Sequence, residues 1–122
     1  MKKIVALVLA ALMLLAMTAC GGETAQNGGN DTAKKYVVGV CQLLKHPALD
    51  QATQGFKDAL IAELGEGNVL FKDGDAGGEF TNCGTIIDGY VAENVDLILA
   101  NATPALQAAA AATEDIPILG TS

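Results

Sequence analysis

Four short runs rich in branched apolar residues, Tyr36 to Gln42, Asn68 to Lys72, Asp96 to Ala100 and Ile116 to Gly120, alternate with three stretches in which apolar residues recur every three to four positions. Runs of the first kind suit strands, and stretches of the second kind suit amphipathic helices. The alternation predicts an α/β fold, an open and mostly parallel sheet with crossover helices. In Val95-Asp96-Leu97-Ile98-Leu99-Ala100 the hydrophobicity is nearly continuous rather than alternating, as expected of a strand covered on both faces. Pro117 falls near a strand start, where its missing N–H is tolerated.

The first helix is expected from Pro47, whose fixed φ suits the first helical position, with Leu49, Ala52, Phe56, Leu60 and Leu64 on one stripe and Gly65 and Gly67 ending it. A second helix is expected over residues 80–94, with Phe80, Cys83, Ile87, Tyr90 and Val91 inward, although Gly84 and Gly89 weaken it. The third has the clearest start, Thr103 as cap and Pro104 next, and continues through the alanines Ala108 to Ala112, which let it pack closely. After the fourth run come Thr121 and Ser122. A parallel strand needs a covering layer, so another helix is expected to follow, and the pattern reads as an incomplete lobe.

Ahead of this region the pattern changes. Lys2 and Lys3 precede an apolar run from Ile4 to Met17, followed by Thr18-Ala19-Cys20-Gly21-Gly22. A basic start, a short apolar core and small residues before a cysteine are the marks of a bacterial lipoprotein signal, with Cys20 as the first mature residue and the acylated one. Fourteen apolar residues fall short of a membrane span, which takes about twenty. Residues 21–35 carry four glycines, many polar side chains and no apolar periodicity, the composition of a flexible tether. The expected organisation is therefore a signal peptide at 1–19, a lipid-anchored linker at 20–35 and a partial amino-terminal α/β lobe at 36–122, held at the extracytoplasmic face of the cell membrane. Two or three acyl chains would hold it stably, where one holds weakly.

Charge narrows the partners. Residues 36–122 carry three lysines against twelve acids, a formal charge of 3 − 12 = −9, so nucleic acid is not an expected partner, and with tryptophan absent and aromatics scarce neither a base-stacking platform nor an aromatic sugar-binding surface is indicated. Cys41 and Cys83 both sit in apolar patterns and are expected as small core residues rather than a disulfide. The single histidine, His46, has no sequence partner for acid–base or Cys/His nucleophilic work. Residues 72–79 lack calcium-loop spacing and are expected as an ordinary turn, and no metal cluster is visible. Asp50 is expected to complement the dipole of the first helical turn. A GxGxxG run is missing after the first strand, so no dinucleotide or other cofactor is expected.

In open α/β sheets ligands bind outside the carboxyl ends of the strands. Those ends carry Gln42 leading into Leu43-Leu44-Lys45-His46-Pro47, Asn101 leading into Ala102-Thr103-Pro104, and Thr121-Ser122, all expected on one edge. Thr103 marks a helix amino terminus that favours an anion, with capping of its own helix as the simpler role. Gln42 and Asn101, amides closing buried strands, need partners that a ligand, water or a neighbouring loop can supply.

Residues 37–122 resemble, in order, the substrate-binding lipoproteins of ABC importers, in the family that includes tryptophan- and tyrosine-binding proteins. The stretches that carry the resemblance are Val38-Gly39-Val40-Cys41-Gln42, His46-Pro47-Ala48-Leu49-Asp50 with Gly55-Phe56, Asn82-Cys83-Gly84-Thr85-Ile86, Asp96-Leu97-Ile98-Leu99-Ala100 with Ala102-Thr103-Pro104-Ala105, and Ile116-Pro117-Ile118. Where the family often has an Asn-Ala-Gln-Gly-like turn, this chain has Asp75-Ala76-Gly77-Gly78. The resemblance implies a type I periplasmic-binding-protein fold with two lobes closing on a small molecule. By position it implies Gln42, His46 and Pro47 in the first ligand-facing loop, Asn101 and Thr103 in the second, and Thr121 and Ser122 in the third.

The expectation is a solute receptor rather than an enzyme: the substrate-binding component of an ABC importer, taking an amino acid, an aromatic one included, or a similar small solute, with an ABC permease as partner and the membrane reached through the lipid. A nonfunctional truncated remnant is the alternative, and so is a secreted α/β hydrolase fragment, although the nucleophile motif GxSxG is absent.

Overall fold

Seven elements and one short 3-10 turn alternate along residues 34–121, the part of the chain that the computed structural model describes. The expected signal peptide, the acylated Cys20, most of the tether and Ser122 lie outside the described residues. The elements are β1 (Tyr36–Gln42), α1 (Pro47–Leu64), the 3-10 turn (Glu66–Asn68), β2 (Val69–Asp75), α2 (Phe80–Ala92), β3 (Leu97–Asn101), α3 (Thr103–Ala112) and β4 (Ile118–Thr121). Among the described residues no helix is long and apolar enough to cross a membrane.

All four strands run parallel in the order β2-β1-β3-β4. The register pairs Gln42 with Asp75 on one side and with Asn101 on the other, and Asn101 with Thr121, so the carboxyl ends of all four strands finish level. Because side chains alternate across a strand, one face of β1 presents Val38, Val40 and Gln42 and the other Val37, Gly39 and Cys41. Helix α1 covers the first face, where Phe56 meets Phe71 edge-on at 6.5 Å and Lys57 meets Asp73. Helices α2 and α3 cover the second, where Tyr90 lies against Gly39 and Leu106 against Gly120.

The core is concentrated on the α2/α3 face, where Cys41, Cys83, Ile87, Tyr90, Ile98, Ala100, Ala105, Ala108 and Ala109 form one buried cluster. Burying a side chain the size of Ile87 or Ile98 contributes about 1.5–3 kcal/mol. The small side chains of Ala105, Ala108 and Ala109 let α3 come close to the sheet, which is the packing that the alanine run predicts. On the opposite face one helix covers four strands, and no residue of α1 is fully buried. Leu119, which faces that side from β4, remains half-exposed.

Local chemistry explains the boundaries. Helix α1 opens at His46, whose Nδ1 accepts from the N–H of Ala48 at 3.2 Å, with Pro47 at the first position. It closes at Gly65, held at φ 89° with its N–H on the carbonyl of Ile61, while Asn68 Nδ2 donates to the carbonyl of Leu64 at 2.6 Å. Ahead of β3, Asp96 holds Val37 through two bonds: its carboxylate accepts from the N–H of Val37 at 2.8 Å, and its own N–H donates to the carbonyl of Val37.

Three expectations are corrected. Residues 72–75 continue β2 instead of turning, because their pairing with β1 runs through Asp75; the turn is confined to residues 76–79, where Gly77 and Gly78 take positive φ. Phe80 is exposed, since the first turn of α2 reaches past the strand tips that would cover it, and that helix ends at Ala92. The cap of α3 is Ala102, at φ 88° and ψ 154°, and Thr103 is already the first helical residue, making no side-chain capping bond.

Candidate functional site

The strand order places a topological switch between β1 and β3. From β1 the chain passes through α1 to β2 on one side, then returns through α2 on the opposite face to β3 on the other side. Outside the carboxyl ends of two such strands the flanking loops diverge and leave a crevice, the usual binding place in open α/β sheets. The two residues at this crevice are Gln42 and Asn101, neighbours in register.

Their side chains belong to a continuous polar network. Gln42 Nε2 donates to the carboxylate of Asp50 at 2.6 Å and to the carbonyl of Leu44 at 2.8 Å, and Gln42 Oε1 accepts from Thr53 Oγ1 at 2.7 Å. Asn101 Nδ2 donates to Thr53 Oγ1 and to the carbonyl of Leu49, each at 2.8 Å, and lies 3.5 Å from Gln42 Oε1. Asn101 Oδ1 accepts from Thr121 Oγ1 at 2.8 Å. Gln42 is 8% exposed and Asn101 fully buried, yet among the described residues no buried side-chain nitrogen or oxygen lacks a partner. The partners that these amides require therefore come from the chain itself: the loop after β1, helix α1 and strand β4.

The structure thus brings three sequence-predicted residues, Gln42, Asn101 and Thr121, into direct contact. His46 and Pro47 lie at the exposed start of α1, and Thr103 at the exposed start of α3. Those helix starts and the turn at residues 76–79 share the edge on which the strands end. Cys20 and Ser122 lie outside the described residues. Sequence reasoning missed Thr53, which bridges both amides, and gave Asp50 only a dipole role. A signal for Thr53 existed: it lies four residues after Leu49 and three before Phe56, a hydroxyl inside an apolar stripe.

Beside the network a cleft of about 200 Å³ opens between α1 and the ends of β1 and β2, lined by Gln42, Lys45, Asp50, Thr53, Lys57 and Asp73. Lys57 is held there by Asp73 at 2.6 Å and by the ring of Phe71, with its nitrogen 5.4 Å from the ring centre. Asp75 Oδ1 accepts from the N–H of Gly77 at 2.8 Å, which closes an ordinary turn. Among the described residues no group of three or more histidine, cysteine or acidic side chains is placed to hold a metal. Cys41 and Cys83 are free and buried, as the apolar pattern around them predicts. Burial, with the neighbouring Cys83 adding to it, pushes the Cys41 thiol up to about 12, so the thiolate needed for nucleophilic work is strongly disfavoured.

Residues 37–122 match the family model described as ABC transporter substrate binding protein. A tyrosine-binding protein of Clostridioides difficile (strain R20291) is 36% identical over 135 aligned positions, which take in 99% of this chain and 37% of that protein. Among solved structures, the ligand-free, open form of a substrate binding protein with adhesive properties from Clostridium difficile is 36% identical, with a TM-score of 0.67 over 70% of this chain and 30% of its own. A conserved domain protein from Vibrio cholerae is 40% identical, with a TM-score of 0.69 over 72% and 30% of the two chains. The ABC domain in complex with L-Trp from Streptococcus pneumonia is 32% identical, with a TM-score of 0.67 over 71% and 30%. The chain spans about a third of the length of these relatives. With the matched segment running from the second residue of β1 past the end of β4, the chain belongs to the ABC transporter substrate binding protein family, a family of binding proteins rather than enzymes.

Proposed function

We propose that the chain forms the amino-terminal part of a lipid-anchored receptor that captures an amino acid, tyrosine and tryptophan first among the candidates, and delivers it to an ABC permease. The observation that carries this reading is the position of Gln42 and Asn101, side by side at the switch point. What related proteins bind supports the solute class: one relative is a tyrosine-binding protein, and a solved neighbour is in complex with L-Trp.

The geometry suggests a division of labour. Because the amides of Gln42 and Asn101 are engaged by α1 and β4, they set the shape of the strand tips, and the groups left facing a solute are the exposed starts of α1 and α3 at His46, Pro47 and Thr103. Unpaired N–H groups at a helix start favour a carboxylate. The formal charge of −7 over the whole chain opposes a purely anionic solute but not a zwitterion. In this reading a second lobe, for which the greater length of the relatives leaves room, closes over the tips, and the closed form signals occupancy to the permease. The lipid on Cys20 and the tether keep the receptor at the outer face of the membrane.

Calorimetric titration of the protein encoded by the complete reading frame with the twenty amino acids tests the solute. Saturable binding of tyrosine or tryptophan is expected, and no heat from any of them at millimolar concentration overturns the amino-acid reading. For the anchor, labelled palmitate should enter the wild-type protein and not Cys20→Ala; equal labelling of both would remove it.

A further inference from the structure

Cys41 and Cys83 are the two thiols of the folded region, and both are fully buried in one cluster. Their adjacency follows from how α2 crosses β1. The helix runs antiparallel to the strand, with Tyr90 against Gly39. Moving two residues up β1 advances about 7 Å to Cys41 on the same face, and moving back along α2 through Ile87 to Cys83 covers about 10 Å. Both thiols thus fall toward the carboxyl end of β1, inside one buried cluster and near one another.

We propose that Cys41 and Cys83 form a reversible disulfide that staples β1 to α2, with a disulfide-bearing small thiol compound or oxidoreductase as oxidant. The thiolate of one cysteine attacks a sulfur of the oxidant, breaking its S–S bond and releasing one thiol. The second cysteine, deprotonated in turn, attacks the protein sulfur of that mixed disulfide and releases the other thiol. The protein loses two protons and two electrons, and the oxidant is reduced to two thiols.

Burial sets the kinetics. No oxidant reaches either sulfur while α2 covers β1, so cross-linking belongs to the folding chain or to an opened state, and the closed fold then protects the bond. Gln42 follows Cys41 directly, so the staple also fixes the strand end that carries the polar network. The cross-link forms whichever solute the protein binds.

The test uses the full chain, reduced and denatured, then refolded in a mixture of oxidised and reduced glutathione, quenched with iodoacetamide and mapped by mass spectrometry. A linked pair of peptides containing Cys41 and Cys83 is expected, together with a melting temperature several degrees above that of the same material after reduction. Cys83→Ser should abolish both. Recovery of Cys41 and Cys83 alkylated, each carrying glutathione, or linked to Cys20 overturns the proposal, as does a linked product that melts no higher than the reduced one.

Discussion

The ring of Tyr90 fills the space that a side chain at position 39 would need: a Cβ built on Gly39 would stand 2.5 Å from Tyr90 Cδ2 and 2.7 Å from its Cγ. The same residue reaches across the sheet, its hydroxyl donating to a site shared by the carbonyls of Val40 at 2.8 Å and Lys72 at 2.9 Å. One side chain of α2 thereby ties β1 to β2. Gly39→Ala should destabilise the protein by about 3 kcal/mol, at the upper end for overpacking, because the atoms it meets belong to a buried ring with no free direction. Gly120→Ala is the internal comparison: its neighbour is the half-exposed Leu106, which can swing outward, so a loss of under about 1 kcal/mol is expected in the same urea titration.

Tyr90→Phe keeps the ring and removes the hydroxyl. Two carbonyls lose their shared donor, and a loss of about 1–2 kcal/mol by urea denaturation is expected.

Thr53 both donates to Gln42 Oε1 and accepts from Asn101 Nδ2. Thr53→Val preserves shape and removes both bonds, leaving two buried amides short of partners, so destabilisation of about 1–3 kcal/mol is expected. Thr53→Ser should restore most of it, because the hydroxyl returns; equal losses in the two variants would assign the effect to packing instead.

Ala102 holds φ 88° and ψ 154°, a conformation that is comfortable only for glycine. Its N–H donates to the carbonyl of Thr121 and its carbonyl accepts from the N–H of Leu106, so both neighbours fix it there. Ala102→Gly should therefore stabilise the protein by about 1 kcal/mol, since relief of about 1–3 kcal/mol of strain outweighs the added freedom of the unfolded chain. A lower urea midpoint for this variant would contradict the strain.

Alkaline pH should weaken the fold. Burial raises the thiol of Cys41 from its ordinary 9.0 to about 12 and raises the Tyr90 hydroxyl as well. Above pH 9 the unfolded chain releases the Cys41 proton that the folded chain keeps, so stability that is complete below pH 9 declines as pH climbs toward 12. Melting temperatures of the reduced protein measured across that range should fall, and Cys41→Ala should flatten the slope.

Much of the site was legible because strand ends and helix starts have local signatures. Gln42, Asn101 and Thr121 each close an apolar run, and Pro47 and Pro104 mark where helices begin. What those residues do to one another was not legible, because the bonds joining Asn101 to Thr53 and to Leu49 span 48 and 52 residues. The turn expected at residues 72–79 failed for a related reason: Lys72-Asp73-Gly74-Asp75 has turn composition, and its pairing with β1 overrides that preference.

Taken alone, the sequence determined the alternation of strands and helices, the parallel sheet, the burial of Cys41 and Cys83 and the family, since periodicity and short motifs are properties of neighbouring residues. Only the tertiary structure decided the strand order, the placement of the switch point between β1 and β3, the seating of Tyr90 on Gly39, the strain at Ala102 and the closure of the tip amides by α1. Each of these depends on which distant surfaces meet, and a strand's own pattern carries no record of the neighbour it will pair with.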